Sequence, residues 1–230
     1  LENWPMTITV YLIRHGETDW NMEGRWQGHA DVPLNDLGRR QAALLARRLQ
    51  AEGARFDAIY SSDLARAYQT AWEVGAAVRV PVQLLPSLRE IDLGSWSGLT
   101  YEEIGSTFPA EVELLRQGQD IPRGGGESMA ALTKRVVEAV DAISAHHAGE
   151  TLALVTHGGC IRALLAHAEN YAGDGFKRFP HIGNTSVSVI VIDGGHWRCV
   201  SVNDMAHLEA QPEPELVSAP PDDAEPPQAL

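Results

Sequence analysis

Thr7-Ile8-Thr9-Val10-Tyr11-Leu12-Ile13 runs without a break into Arg14-His15-Gly16. A β-branched, apolar run of this length predicts a buried strand. The cation, imidazole and glycine that follow then sit at its carboxyl end. In an open α/β sheet, ligands bind outside the carboxyl ends of the strands. Gly16 has no side chain to keep a ligand from the backbone. Taken alone, the Arg-His-Gly triplet reads as a capping histidine in a loop, so the rest of the chain must decide.

Further along, Asn35 predicts a helix start, with Leu37, Leu44, Leu45 and Leu49 at helical spacing and Gly53 past the end. Phe56–Ser61 predicts a second strand, Asp63 the cap of a helix to about Ala76, and Val78–Leu85 a weaker third strand. Glycines and prolines break up Glu90–Arg123, with short helices expected near Tyr101–Thr107 and Ala110–Gln117. Glu127–His147 predicts a long helix with Leu132, Val136, Val140 and Ile143 on one face. Leu152–Thr156 is a fourth strand ending at His157-Gly158-Gly159, followed by a helix to about Asn170. Asn184–Asp193 and Trp197–Val202 flank Gly194-Gly195-His196, a hairpin signal.

Strands alternating with helices imply an α/β fold, a three-layer α/β/α sandwich on a mostly parallel sheet. His15 and His157 both end strands, so they are expected on one edge of that sheet. A single domain is expected over residues 1–208. Residues 209–230 hold six acidic residues, no basic ones and many prolines, and read as a disordered tail.

The 230 residues are 44% hydrophobic, enough for a substantial core. The longest apolar runs, Leu152–Val155 and Val187–Ile192, are too short to span a bilayer. Leu1–Pro5 lacks the features of a signal peptide, and Met6 is a candidate native start. Cys160 and Cys199 are expected as buried free thiols, which suits a cytoplasmic protein. A net charge of −13 argues against nucleic-acid binding. An anionic substrate therefore needs a local basic pocket, for which Arg14, Arg25 and Arg66 are candidates.

Nine histidines invite a metal reading. However, His146 and His147 point apart near a helix end, and His167, His181, His196 and His207 show no ligand spacing. No metal site is expected. Gly124–Gly126 follows no strand and is not a dinucleotide fingerprint; it reads as a flexible helix entry. Trp96, Tyr101, Phe108 and Leu115 fit an apolar wall for a leaving group as well as they fit ordinary core.

The decisive feature is the order of several motifs. After Arg14-His15-Gly16-Glu17-Thr18 come Asn21, Arg25, Gln27-Gly28 and Leu34-Asn35-Asp36-Leu37-Gly38. Ser61-Ser62-Asp63-Leu64-Ala65-Arg66, Leu88-Arg89-Glu90, Gly94-Ser95-Trp96-Ser97-Gly98 and Thr156-His157-Gly158-Gly159 follow. From Thr7 to Val202 this pattern resembles the histidine phosphatase superfamily, also called phosphoglycerate-mutase-like. The resemblance implies that His15 is the nucleophile and becomes phosphohistidine. Arg14, Arg66 and His157 would line the phosphate pocket. Asn21 and Gln27 would contact phosphate, with Gly28 and Gly158 beside them. Glu90 matches the proton donor. The implied partner is a small phosphomonoester, and no cofactor is implied.

The residue types suit those roles. A neutral imidazole held through its other nitrogen is a competent phosphorus nucleophile. Guanidinium forks fit phosphoryl oxygens. Glu17 lies closer to His15 in sequence and is a rival acid; the family position favours Glu90, leaving Glu17 to orient the Arg14–His15 loop.

Cofactor-dependent phosphoglycerate mutases, by that resemblance, carry a longer stretch between the donor glutamate and the second histidine. It includes an adjacent arginine pair that grips a carboxylate. Here Glu90 and His157 are 67 positions apart, with only Arg116, Arg123, Lys134 and Arg135 as bases between them. The one adjacent pair, Lys134-Arg135, falls inside the long helix. The compact branch of metal-independent phosphatases fits better, as do Asn184-Thr185-Ser186 and Asn203–Leu208. That branch includes broad-specificity, α-ribazole-phosphate and glucosyl-3-phosphoglycerate phosphatases. A mutase, and a non-catalytic scaffold on the same fold, are the alternatives.

Overall fold

The computed structural model describes residues 7–171 and 178–209. Leu1–Pro5, Met6 and all of the acidic tail except Glu209 lie outside the described residues.

The opening stretch forms strand β1, Ile8–Arg14. After a one-turn helix α1, Asp19–Met22, comes α2, Asp36–Ala51, whose N-cap Asn35 accepts from Gly38 N. β2 (Ala58–Ser61), α3 (Ala65–Val78) and β3 (Val82–Leu84) follow. Two short helices come next, α4 (Tyr101–Thr107) and α5 (Pro109–Arg116). Then come α6 (Met129–Ser144), β4 (Thr151–Thr156) and α7 (Gly158–Ala168), and finally β5 (Val187–Asp193) and β6 (His196–Asp204).

The six strands form one sheet in the order β3-β2-β4-β1-β5-β6. The first four are parallel, while β5 and β6 are antiparallel to their neighbours. Strand alternation splits the core between the two faces. Val10, Leu12, Leu152 and Leu154 pack with Leu132, Val136, Ile161 and Leu164 of α6 and α7. Ile13, Ile59, Ala153 and Val155 pack with Leu45, Leu49, Ala67 and Val74 of α2 and α3. These two apolar layers, covered by helices, make the expected α/β/α sandwich.

Several boundaries differ from the sequence reading, each for a physical reason. The long helix begins two residues late because Ser128 caps it, and the Asp120 carboxylate accepts from Met129 N and Ala130 N at 2.8 Å. β3 shrinks to the three residues that pair with β2. Leu37 is exposed, so only Leu45 and Leu49 of the four leucines on α2 are fully buried. Asp63 does not cap α3. Its carboxylate is taken by Arg89 at 2.7 and 2.5 Å, and Asp31 reaches across to accept from Ala65 N at 2.7 Å. The hairpin turn holds Gly194 and Gly195 at φ of 55° and 82°, as a two-residue primed turn requires.

Candidate active site

Register brings the two histidines together. Arg14 is paired with Thr156 at the ends of adjacent parallel strands, so His15 and His157 emerge side by side. Their ring centroids are 5.2 Å apart. His15 N donates to Thr156 O at 3.0 Å. The His15 Nδ1 atom lies 2.6 Å from Gly16 O. A carbonyl can only accept, so this bond assigns the ring hydrogen to Nδ1 and the lone pair to Nε2. Gly16 N in turn donates to Thr70 Oγ1 at 3.0 Å. A side chain at Gly16 would put its Cβ 2.5 Å from Gly38 O, so the strand end docks bare against the first turn of α2.

Two guanidiniums flank the imidazoles. Arg66, in the first turn of α3, donates to Ala30 O at 2.7 Å and Gly28 O at 2.8 Å. Arg14 donates to Ile182 O at 2.6 Å. Neither forms an ion pair among the described residues, and the Nε atom of each is buried without a hydrogen-bond partner there. Burial pushes both guanidiniums down to about 10, and Arg162 adds to the effect on Arg14. A buried cation, Arg66, and a half-buried one, Arg14, without carboxylate partners are costly unless an anion joins them.

Burial, then the neighbouring Arg66, holds both His15 and His157 well below the usual histidine range, so both rings are neutral. His157 Nε2 lies 2.9 Å from Ser62 Oγ, while its Nδ1 is buried without a partner. The Ser62 hydroxyl also accepts from Leu64 N at 3.3 Å. A hydroxyl that gives its hydrogen to Nε2 puts the ring hydrogen on Nδ1, whereas one that accepts from Nε2 leaves Nδ1 a lone pair.

Glu90 is held at both oxygens. Ile91 N donates to Oε1 at 2.9 Å, and Gly159 N, in the first turn of α7, donates to Oε2 at 3.0 Å. Its carbonyl meets His29 Nε2 at 2.8 Å and Arg135 Nη2 at 3.0 Å. Arg135 also holds Ser87 O and Arg89 O and is paired with Glu127. The adjacent pair Lys134-Arg135 is thus no substrate grip: Lys134 faces solvent beside Glu138, and Arg135 braces the Glu90 segment.

Gln27 is buried with Oε1 unpartnered among the described residues. Amide orientation is assigned from partners, so the same position presents a donor when the amide is turned. Gly28, at φ 52°, supplies the carbonyl that anchors Arg66. Asn21 uses Oδ1 in a capping box with Thr18, leaving its amide nitrogen outside those bonds. At Gly158 an added Cβ would lie 2.8 Å from Arg162 Nη1 and 3.6 Å from Arg14 Nε. Glu17 accepts from Asn35 Nδ2 at 3.0 Å and donates its N–H to Gln41, joining the His15 loop to α2.

Arg25 does not join this pocket. It is bound to Glu23, Glu103 and Gly98 O, an anchor for the start of α4. The glycine loop is no flexible entry, because an added Cβ at Gly124 would lie 2.5 Å from Leu93 O. Trp96 is packed into the core and Phe108 against it; Trp96, Tyr101 and Leu115, with Trp26, Ile104, Val112 and Arg116, border a separate cavity of about 170 Å³. None of Arg14, His15, Arg66, Glu90 and His157 lines that cavity.

Ser62, Arg162 and the Asn184-Thr185 turn were not singled out as site residues by the sequence. Arg162 had a usable signal, four positions beyond Gly158 on the helix that His157 caps. Ser62 had none without the fold.

A neutral strand-end imidazole with its Nε2 lone pair unused, set beside two guanidiniums, a second imidazole and a fixed carboxylate, is an arrangement suited to phosphoryl transfer. The chain belongs to the histidine phosphatase superfamily (branch 1), whose pattern matches residues 10–205. It is 41% identical to phosphoglycerate mutase-like protein 4 of Arabidopsis thaliana, over 87% of this chain and 86% of that one. It is 36% identical to the metal-independent phosphoserine phosphatase of the same plant, over 87% and 83%. The crystal structure of a phosphoserine phosphatase variant from Entamoeba histolytica with phosphoserine superimposes with a TM-score of 0.77 at 30% identity, covering 87% of this chain and 99% of that one.

Among the described residues no helix is long and apolar enough to cross a membrane.

Proposed function

We propose that the chain is a phosphomonoester hydrolase that works without metal through a phosphohistidine on His15. The observation that carries this reading is the Nδ1–H bond of His15 to Gly16 O at 2.6 Å, which leaves Nε2 as a lone pair beside Arg14 and Arg66. The substrate phosphate binds between Arg14, Arg66 and His157, where the unused donors lie. His15 Nε2 forms a bond to phosphorus as the bond to the alcohol oxygen breaks. Glu90 gives its proton to that oxygen. Water then attacks phosphorus, Glu90 takes the water proton, and the N–P bond breaks to release phosphate. The guanidiniums stabilise charge on the equatorial oxygens, usually the largest contribution to rate.

The compact connection between Glu90 and His157 supports transfer to water over transfer to a second substrate. The relatives support small phosphorylated hydroxy or amino acids, phosphoserine among them, as first substrates to assay. The two free cysteines fit a cytoplasmic setting.

The test is phosphate release from p-nitrophenyl phosphate and phosphoserine in excess chelator, together with a phosphoryl label that survives base but is lost in acid, as an N–P bond requires, mapped to its residue. Labelled His15, and loss of both label and turnover in His15→Ala, are expected. Turnover that survives His15→Ala or needs added divalent ion overturns the reading. So does mutase turnover of 3-phosphoglycerate that exceeds hydrolysis.

A further inference from the structure

The backbone of His15 is gripped from a part of the chain that the chemistry above does not use. The His15 carbonyl oxygen accepts two hydrogen bonds, from Asn184 Nδ2 at 3.1 Å and from Thr185 N at 3.2 Å. The same turn receives Arg14: its N–H reaches Ser186 O at 3.1 Å and its Nη1 reaches Ile182 O at 2.6 Å. Asn184 Nδ2 also lies 3.3 Å from Asn21 Oδ1. One turn thus touches the nucleophile, a phosphate-side guanidinium and a neighbouring amide.

The turn is held in a conformation that Thr185 would not choose. Its φ is 55°, the left-handed region, where a β-branched residue is strained. Such strain persists only where the surroundings fix it. Here the Thr185 hydroxyl donates to Asn184 O at 2.7 Å and meets His207 Nε2 at 2.9 Å. Since the hydroxyl hydrogen is spent on the carbonyl, His207 must donate from Nε2, which leaves its Nδ1 bare, as the structure shows it. Burial keeps His207 in this neutral form by pushing it down to about 4. Gly183 N donates to Asn203 Oδ1 at 2.7 Å, and a Cβ at Gly183 would lie 2.0 Å from Met205 Sδ. The C-terminal segment therefore clamps the turn from behind.

We propose that Asn184 and Thr185, locked by His207, are positioning residues that set the angle at which His15 Nε2 meets phosphorus. This rests on the function proposed for His15. An in-line attack loses about a hundredfold in rate when the nucleophile is displaced by about 1 Å. A carbonyl fixed at both lone pairs removes the rotation of the His15 peptide that would allow such a shift.

The experiment compares the full chain with Asn184→Asp, His207→Phe and His207→Gln. Asn184→Asp keeps the shape but sets a carboxylate against two oxygens. His207→Gln restores a donor to Thr185 that His207→Phe removes. Expected are falls of about ten- to a hundredfold in kcat for Asn184→Asp and His207→Phe, with KM for p-nitrophenyl phosphate changed less than about twofold. Recovery of most of that loss is expected in His207→Gln. Proton NMR of the His15 Nδ1–H resonance reads positioning without turnover, and should shift or broaden in the first two variants. Wild-type kcat and an unchanged resonance in both overturn the proposal, as does an activity loss that follows only the fraction unfolded. Absence of label on His15 in the wild-type protein defeats the proposed function instead, and the resonance still tests the positioning.

Discussion

Gly159 N–H donates to Glu90 Oε2 at 3.0 Å, and a Cβ on Gly159 would lie 2.2 Å from Glu90 Oε1. The glycine is therefore the condition for the carboxylate to reach the first turn of α7. Residues 157–159 thus contribute twice, with His157 beside His15 and Gly159 against Glu90.

Gly159→Ala should push Glu90 off its seat without touching the phosphate groups. Protonation of the leaving oxygen then suffers more than attack by His15. Hydrolysis of phosphoserine, whose alkoxide needs the proton, should fall by about ten- to a hundredfold. p-Nitrophenyl phosphate, with its stabilised phenolate, should lose much less. Equal losses on both substrates would show that Glu90 is not the proton donor.

Arg66→Lys should be far from conservative. A lysine cannot hold Gly28 O and Ala30 O while presenting a planar face to phosphate. The expected loss in kcat/KM is about a hundred- to a thousandfold, comparable with removal of an oxyanion-hole donor. Inorganic phosphate should raise the wild-type melting temperature, because it neutralises the unpaired Arg14 and Arg66, and raise that of Arg66→Lys much less. Differential scanning fluorimetry with and without phosphate makes the comparison.

His15 and His157 were legible because each ends an apolar strand, and parallel topology alone sends both to one edge. Glu90 was legible only through the order of motifs, since nothing local marks it, and that order is also what separates Arg66 from Arg25 as a pocket cation. Failures came where a distant partner overrode a local rule. Asp63 reads as a helix cap, but Arg89, 26 residues on, takes its carboxylate. Arg25 reads as part of a basic pocket, but Glu103, 78 residues on, claims it. The support of Glu90 by Arg135 and of His157 by Ser62 depends on which helix lies over which strand end, information that periodicity does not contain.

Acid should destabilise the ligand-free protein through its buried histidines. His15 and His157 are held well below 6.5 and His207 is pushed down to about 4, chiefly by burial. The unfolded chain therefore takes up protons first. The stabilisation is complete above about 6.5 and is lost as the pH falls below it, by about 1.4 kcal/mol per pH unit for each histidine that stays neutral in the fold. Bound phosphate sets negative charge against His15 and His157 and should lessen their share, leaving that of His207. Melting curves from pH 7.5 to 4.5, with and without phosphate, should show a steep acid slope that phosphate partly flattens. A flat profile without phosphate contradicts the neutral-histidine account.

Arg135 should matter for stability as well as rate. Its guanidinium serves Ser87 O and Arg89 O at 2.8 Å, Glu90 O at 3.0 Å and both oxygens of Glu127 at 2.8 and 2.7 Å. Arg135→Ala leaves three carbonyls and a carboxylate without this donor. Breaking a buried pair costs about 3–5 kcal/mol. Both side chains here keep slightly over a fifth of their exposure, so solvent recovers part of that and about 2–3 kcal/mol is expected. Glu127→Gln, which removes charge but keeps an acceptor, should cost less. The Arg135→Ala/Glu127→Ala double variant should be less destabilised than the sum of its singles, because the second change removes the stranded charge. Urea unfolding of the four proteins measures that coupling. A coupling of zero would mean that Arg135 acts through the Ser87–Glu90 carbonyls alone, and the rate loss in Arg135→Ala should then persist in full in the double variant.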